Sequence, residues 1–212
     1  MKKILQIALA ASFLFVSCKK EPGSVSGNVY YKFNDYVGNK PDAGATIKVF
    51  NLDKGAEPAV YEGSADVQGN YKVSGINPAD YLLVVKSKTT TALTGDILQQ
   101  LLKNAEGVKA VFGVDMMTFK SDIDMLSALN FTNDGLIAGM DTSNYTENEV
   151  KINENKAKIK KIVDSLLAKF PKDFVKAFDL YGAFGPKIEV KTIKVEETKD
   201  VNNNTDFGVT YS

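Results

Sequence analysis

The chain has no histidine, no arginine and no tryptophan, and only one cysteine among its 212 residues. Without histidine it lacks the usual general base at neutral pH, the serine-type triad and most zinc sites. Without arginine it has no bidentate fork for phosphate or carboxylate. All basic residues are therefore lysine, and the 26 lysines balance 26 acids. That balance argues against a nucleic-acid binder, which needs a basic excess. A lone cysteine makes no internal disulfide. Long apolar runs are absent too. The longest, residues 4–16, spans 13 residues with Gln6 and Ser12 inside it, which is too short for a bilayer-crossing helix. Any catalysis would have to rest on carboxylates, lysine or tyrosine.

That short run follows Met1-Lys2-Lys3 and closes on Phe15-Val16-Ser17-Cys18, the layout of a secretory signal peptide. The closing tetrapeptide resembles the lipobox of bacterial lipoproteins, with Phe15 where Leu or Val is usual. The resemblance implies cleavage between Ser17 and Cys18, acylation of the Cys18 thiol by chains of the palmitate class, and a new N-terminus there. It implies an outer-membrane location, because Lys19 stands where some Gram-negative lipoproteins carry an inner-membrane retention aspartate. An ordinary signal peptide with an incidental cysteine is the alternative. Cleavage would leave 195 residues and, with Lys2 and Lys3 gone, 24 lysines against the 26 acids. That length suits one domain with a good core or two small ones.

Residues 18–24 read as a polar tether, with Pro22 and Gly23 opposing regular structure. Period-2 alternation then begins with Val25, Gly27, Val29, Tyr31 and Phe33 on one side. It resumes at Ala45, Ile47 and Val49, loosely over 59–65, again at Tyr71 and Val73, and at Tyr81, Leu83 and Val85. Turn residues separate these runs (38–42, 66–69, 77–80), and five short strands at about ten-residue spacing mark a β-sandwich or barrel. Four segments then form one pattern: Ser26-Gly27-Asn28-Val29, Pro41-Asp42-Ala43-Gly44-Ala45-Thr46-Ile47, Asp66-Val67-Gln68-Gly69-Asn70-Tyr71-Lys72-Val73 and Ile76-Asn77-Pro78-Ala79-Asp80-Tyr81. They resemble the carboxypeptidase regulatory-like, or transthyretin-like, domain and the B-type repeats of collagen adhesins.

After residue 88 the period becomes helical. Ile97, Leu98, Leu101, Leu102 and Ala105 form one stripe, with Thr94 and Asp96 as start signals. Val108 to Phe119 suggests a second helix, and residues 121–129 a third. Residues 130–145 are polar and contain glycine. Thr146 and Glu149 read as a capping box for a long helix with Ile152, Ile159, Ile162, Val163, Leu166 and Phe170 on its apolar face. A short helix carrying Phe174, Phe178 and Tyr181 follows Pro171. Alternation returns at 187–195 and, past Asn202-Asn203-Asn204, at Phe207, Val209 and Tyr211. The expected fold is α+β: an antiparallel, transthyretin-like sandwich from residues 25–88 and 187–212, with a helical insertion at 93–184 before the last two strands. Two consecutive domains with a C-terminal hairpin are the rival.

Candidate chemistry is thin. Asp115, Asp122 and Asp124 form an acidic cluster, but i and i+2 do not share a helix face. Asp141, Ser143, Asn144, Glu147 and Glu149 suggest a calcium loop without its glycine or ligand spacing. Asn202 to Asn204 with Asp200 and Asp206 suggest another, against an ordinary turn. Lysines crowd residues 151–176, either as a headgroup-binding surface or as a solvated helix face. Tyr30, Tyr31, Tyr36, Tyr61 and Tyr71 would stack sugars if exposed and pack a core if not. No catalytic residue, metal site or cofactor is expected. The chain is expected to be a non-catalytic envelope lipoprotein, a binding module held to the membrane by Cys18, with the helical insertion as its recognition element. Its partner would be another envelope protein or a glycan. A carbohydrate-binding sandwich is the alternative, and a hydrolase with two facing carboxylates is a third reading.

Overall fold

The computed structural model describes residues 20–53 and 60–209. Ser17, Cys18 and Tyr211 lie outside them. The described elements are β1 (Gly23–Lys32), β2 (Asn39–Pro41), β3 (Thr46–Asn51), β4 (Val60–Ser64), β5 (Asn70–Ile76) and β6 (Ala79–Leu93). Then come α1 (Thr94–Lys103), α2 (Ala105–Phe112), a 3₁₀ turn (Met116–Phe119), α3 (Lys120–Ala138), α4 (Tyr145–Lys169) and α5 (Lys172–Ala177). β7 (Phe184–Val195), β8 (Asp200–Asn202) and β9 (Thr205–Val209) complete the fold.

Two sheets make a sandwich. In the first, β1 is central: β5 and β2 pair antiparallel along one edge, and β8 and β9 pair parallel along the other. The second has the order β4-β3-β6-β7, antiparallel throughout. The expected class therefore holds, with helices inserted before β7 and a closing strand that a kink at Asn203 and Asn204 divides into β8 and β9. That kink requires Gly27. A Cβ there would lie 1.9 Å from the Asn203 carbonyl oxygen, far inside van der Waals contact. Asp66 makes the expected turn by accepting from the Gln68 and Asn70 amides, and Gly69 closes it at φ +83°, a conformation glycine adopts without a Cβ penalty.

The sandwich core is the expected alternate set: Val25 and Val29, Ile47 and Val49, Tyr71 and Val73, Tyr81, Leu83 and Val85, closed by Ile193, Val195 and Phe207. A second core lies on the outer face of the β4-β3-β6-β7 sheet. There Phe50, Leu82, Val84, Ile188 and Val190 meet Ile97, Leu98 and Leu101 of α1, Val163 and Leu166 of α4, and Phe174 and Phe178. The helical stripes meet one another as expected. They are not a self-contained unit, however, because they share one cluster with the sheet. Molecules of this kind have three layers, and a strand covered on both faces reads as a continuous apolar run. Tyr81 to Val85 is such a run, buried at every position.

Some boundaries differ from expectation. β1 begins at Gly23, inside the expected tether, and β7 at Phe184, inside the expected insertion. The third helix runs on to Ala138 rather than ending near Leu129. Its polar residues face α4, where Asn155 Nδ2 donates to Asn133 Oδ1 at 2.9 Å and Asn130, Asn133 and Asn148 are buried. The polar stretch after Leu129 is thus, as far as Ala138, a packed helix face. The capping box does not form: Asn144 is the cap residue and Thr146 already lies within α4.

Candidate functional site

A cleft of about 530 Å³ lies at one end of the sandwich, where β6 departs from its ladder and the chain re-enters the second sheet from α5. Two unusual local structures form its walls. The first is a break in β6. Pairing with β7 is regular up to Lys86, lapses, and resumes at Thr91. Asp42 holds the break open. Its carboxylate, fully buried, accepts from the Ser87 hydroxyl at 2.5 Å, the Thr89 hydroxyl at 2.7 Å and the Thr89 and Lys88 amides at 3.1 and 3.3 Å. Ser87 Oγ in turn accepts from the amide and hydroxyl of Thr90, both at 2.8 Å. A buried carboxylate is tolerable only when its lone pairs are so satisfied, and the donors here come from the backbone that leaves the ladder.

The second wall is the path from α5 into β7. Asp179 takes a left-handed φ of 51°, a conformation that costs a non-glycine residue energy unless its surroundings hold it. Leu180, wholly buried beside it, pins the segment. The Thr94 amide donates to the Ala183 carbonyl at 2.8 Å and its hydroxyl to that of Gly182. This leaves Tyr181 and Phe184 on the rim, 70% and 64% exposed. Lys86 Nζ joins the walls through a 2.6 Å ion pair to Asp179. Thr46 lies on the lining with its hydroxyl oxygen shut off from solvent and without a hydrogen-bond partner, a costly state for a buried polar atom.

The cleft has a defined place relative to the start of the described chain. β1 starts at Gly23 beside Ile76 and Asp200, and Lys20 sits with Pro78, Asp80 and Glu197. That is one pole of the sandwich. β6 runs from Ala79 at this pole to the break at the other. The cleft and the start of the described chain are therefore at opposite poles.

The sequence candidates go elsewhere. Asp115 caps the 3₁₀ turn and pairs with Lys109 at 2.8 Å, and Asp124 pairs with Lys120 and accepts from Gln99. Both carboxyls are held below the usual carboxylate range, chiefly by the hydrogen bond from those lysines. The cluster forms no shared site. Asp141 accepts from the Ser143 amide and hydroxyl and the Asn144 amide in a local turn. Asp200 accepts from Ser24 and Ser26, whose hydroxyls lower its carboxyl, and Asp206 accepts from the Gly208 amide. No group of three or more metal-ligating side chains occurs among the described residues. Among the α4 lysines, Lys151 and Lys160 pair with Glu147 and Asp164, as on a solvated face.

The tyrosines do not form a platform. Tyr71 is buried and donates to the Asn203 carbonyl at 2.8 Å, while Tyr31 and Tyr61 pack against the core. Only Tyr36 is fully exposed. A smaller recess of about 270 Å³ between α1 and β9 holds Asp96 and Asp206. Burial, with Asp134 nearby, pushes the Asp96 carboxyl up. Lys187 beside it donates to the Phe207 and Val209 carbonyls.

Sequence reasoning missed Tyr181 and Phe184, taking the first for part of a helical stripe and placing the second in the insertion. It also missed Asp42 with Ser87. The signal was the abrupt change from apolar 81–85 to polar Ser87-Lys88-Thr89-Thr90-Thr91.

No family model matches the chain, and no curated protein does. Among solved structures it is similar to the minor pilin of Streptococcus agalactiae, at 9% identity and a TM-score of 0.36, over 92% of this chain and 47% of the pilin. The chain thus spans about half the length of that protein. It is also similar to a Pseudomonas aeruginosa protein provisionally described as carbohydrate-binding, at 11% identity and a TM-score of 0.26, over 37% of this chain and 71% of that one. A 9R-lipoxygenase from Cyanothece shows 15% identity and a TM-score of 0.23 over 44% of this chain and 15% of its own. None of the three reaches a TM-score of 0.5.

Proposed function

We propose that this protein is a lipid-anchored, non-catalytic binding module of the bacterial envelope, with a regulatory-like sandwich as its stand and the cleft at the β6 break as its contact site. Acylation at Cys18 leaves five residues to Gly23, a reach of at most about 18 Å. The first pole of the sandwich is thus kept near the bilayer. The ten residues of β1 at about 3.3 Å each put the other pole roughly 30 Å further out. The placement of Gly23 and the cleft at opposite poles is the observation that supports this reading: with the anchor at Cys18, the site faces away from the bilayer. Lys19 after the anchor favours the outer membrane. Its partner is another envelope molecule, protein or glycan.

Recognition falls at the junction of sandwich and helices rather than on the helices alone, because the β6 break supplies one wall and the exit from α5 the other. Detergent-phase partitioning, with palmitate labelling, tests the anchor. The wild-type chain is expected to be labelled and to enter the detergent phase, and Cys18→Ala to do neither. Equal partitioning of the two would overturn the proposal.

A further inference from the structure

Resting on that reading of the cleft, we infer that its ligand is a saccharide, taken by stacking on Tyr181 and Phe184 while the Lys86–Asp179 pair and Lys88 meet its hydroxyls. The argument is one of size and chemistry. The cleft's volume of about 530 Å³ lies within the range that small-molecule sites occupy, roughly 300–1,000 Å³. The other described recesses, at about 270, 320 and 190 Å³, reach only the lower edge of that range or fall short of it. The lining mixes lysine, threonine, serine and aspartate with Tyr181, Phe184 and Pro186, a poor match for a wholly apolar acyl chain or sterol. It is also wrong for a phosphate. Arginine is absent from the chain, Lys86 is already neutralised by Asp179 at 2.6 Å, and Lys88 is left as one cation on an exposed strand turn.

What remains suits a molecule with one apolar face and a rim of hydroxyls. A pyranose has that shape. Exposed aromatic rings offer broad contact at low conformational cost, and a tyrosine adds a hydroxyl at its edge. A joined ammonium and carboxylate supply donors and acceptors together, as adjacent sugar hydroxyls require. Asp179 is held in a strained conformation at this point, and strain of that kind gathers at ligand sites.

The test uses the full-length lipidated protein in detergent micelles. Native gels cast with soluble starch, glucomannan, xylan, mixed-linkage β-glucan or polygalacturonate measure retardation. At least one polysaccharide is expected to retard the wild type. Tyr181→Ala with Phe184→Ala is expected to weaken that binding by about tenfold or more, with an unchanged melting temperature, since both rings are largely exposed. Lys86→Met is expected to weaken it as well. Absence of retardation in every gel would overturn the inference, as would retardation unchanged in the double aromatic variant. Detergent partitioning of the same preparations separates the two claims. A protein that partitions but ignores every polysaccharide keeps the anchored module and loses the saccharide. One that binds sugar through the rim aromatics without partitioning keeps the saccharide and loses the anchor.

Discussion

The Asp42 carboxylate and the Ser87 hydroxyl lie 2.5 Å apart across 45 residues of sequence, and through this contact a turn before β3 sets the shape of β6 where the strand leaves its ladder. Asp42→Ala would strand the buried hydroxyl of Ser87 and the donors of Lys88 and Thr89. Hydrogen bonds to a charged group contribute about 1.5–3 kcal/mol each. The variant is expected to lose about 3 kcal/mol or more in urea unfolding, equivalent to roughly 6–12 °C in melting temperature for a chain of this size. Ser87→Ala is expected to lose less. An unchanged midpoint for Asp42→Ala would mean that the break stands without its carboxylate.

Tyr81 gives a pH dependence of defined sign. Its ring is fully buried and its hydroxyl donates to the Asn77 carbonyl at 2.6 Å. Burial, with Tyr61 adding to it, raises its ionisation well above the ordinary value. A folded pKa above the unfolded one, about 10, favours the protonated fold. That stability is fully present below about pH 10 and is lost as pH rises towards the folded value. Urea midpoints measured between pH 8 and 11 are expected to fall more steeply for wild type than for Tyr81→Phe. The variant should start about 1 kcal/mol lower at pH 8 from the lost hydrogen bond. Parallel curves would contradict the assignment.

Replacing residues 94–183 with a glycine-serine linker is expected to prevent folding. Loop entropy is not the obstacle, since it grows slowly with length. The deletion would instead expose Phe50, Leu82, Val84, Ile188 and Val190 on one sheet face, an apolar patch of the kind that drives aggregation. A soluble deletion variant with a cooperative melt would show that the outer core is dispensable.

Gly27→Val tests the closing strand. The Asn203 carbonyl would meet the new side chain at 1.9 Å, and the same carbonyl accepts from Tyr71 at 2.8 Å. A loss of about 2–4 kcal/mol is expected, with faster hydrogen exchange across residues 200–207. A variant as stable as wild type would place the kink elsewhere.

The sandwich was legible because one buried face per strand imposes strict alternation, as at Ile47 and Val49 or Tyr71 and Val73. The third layer was not. Leu82 and Val84 stand on the opposite face of β6 from Tyr81 and Leu83, and continuous burial erases the period that marks a half-buried strand. The extension of α3 was hidden for a related reason: Asn133 faces Asn155 of α4 and Asn130 lies beside Gly95 of α1, so these polar helix interfaces carry no apolar stripe. The cleft was least legible. Tyr181 sits at helical spacing from Phe174 and Phe178, and only the left-handed turn at Asp179 swings it out of that stripe. Asp42 was seen as part of a motif, but its partners lie in a segment joined to it only by the fold.

The central claim is that the contact site stands at the pole opposite a lipid anchor, and single thiols measure it directly. With Cys18 acylated, Glu197→Cys and Tyr181→Cys each introduce the sole free thiol for a fluorophore, one at each pole. In liposomes carrying headgroup spin labels, the dye at 197 is expected to be strongly quenched and the dye at 181 nearly unquenched, and Cys18→Ala should abolish the difference. Equal quenching at both positions, or stronger quenching at 181, would contradict the account.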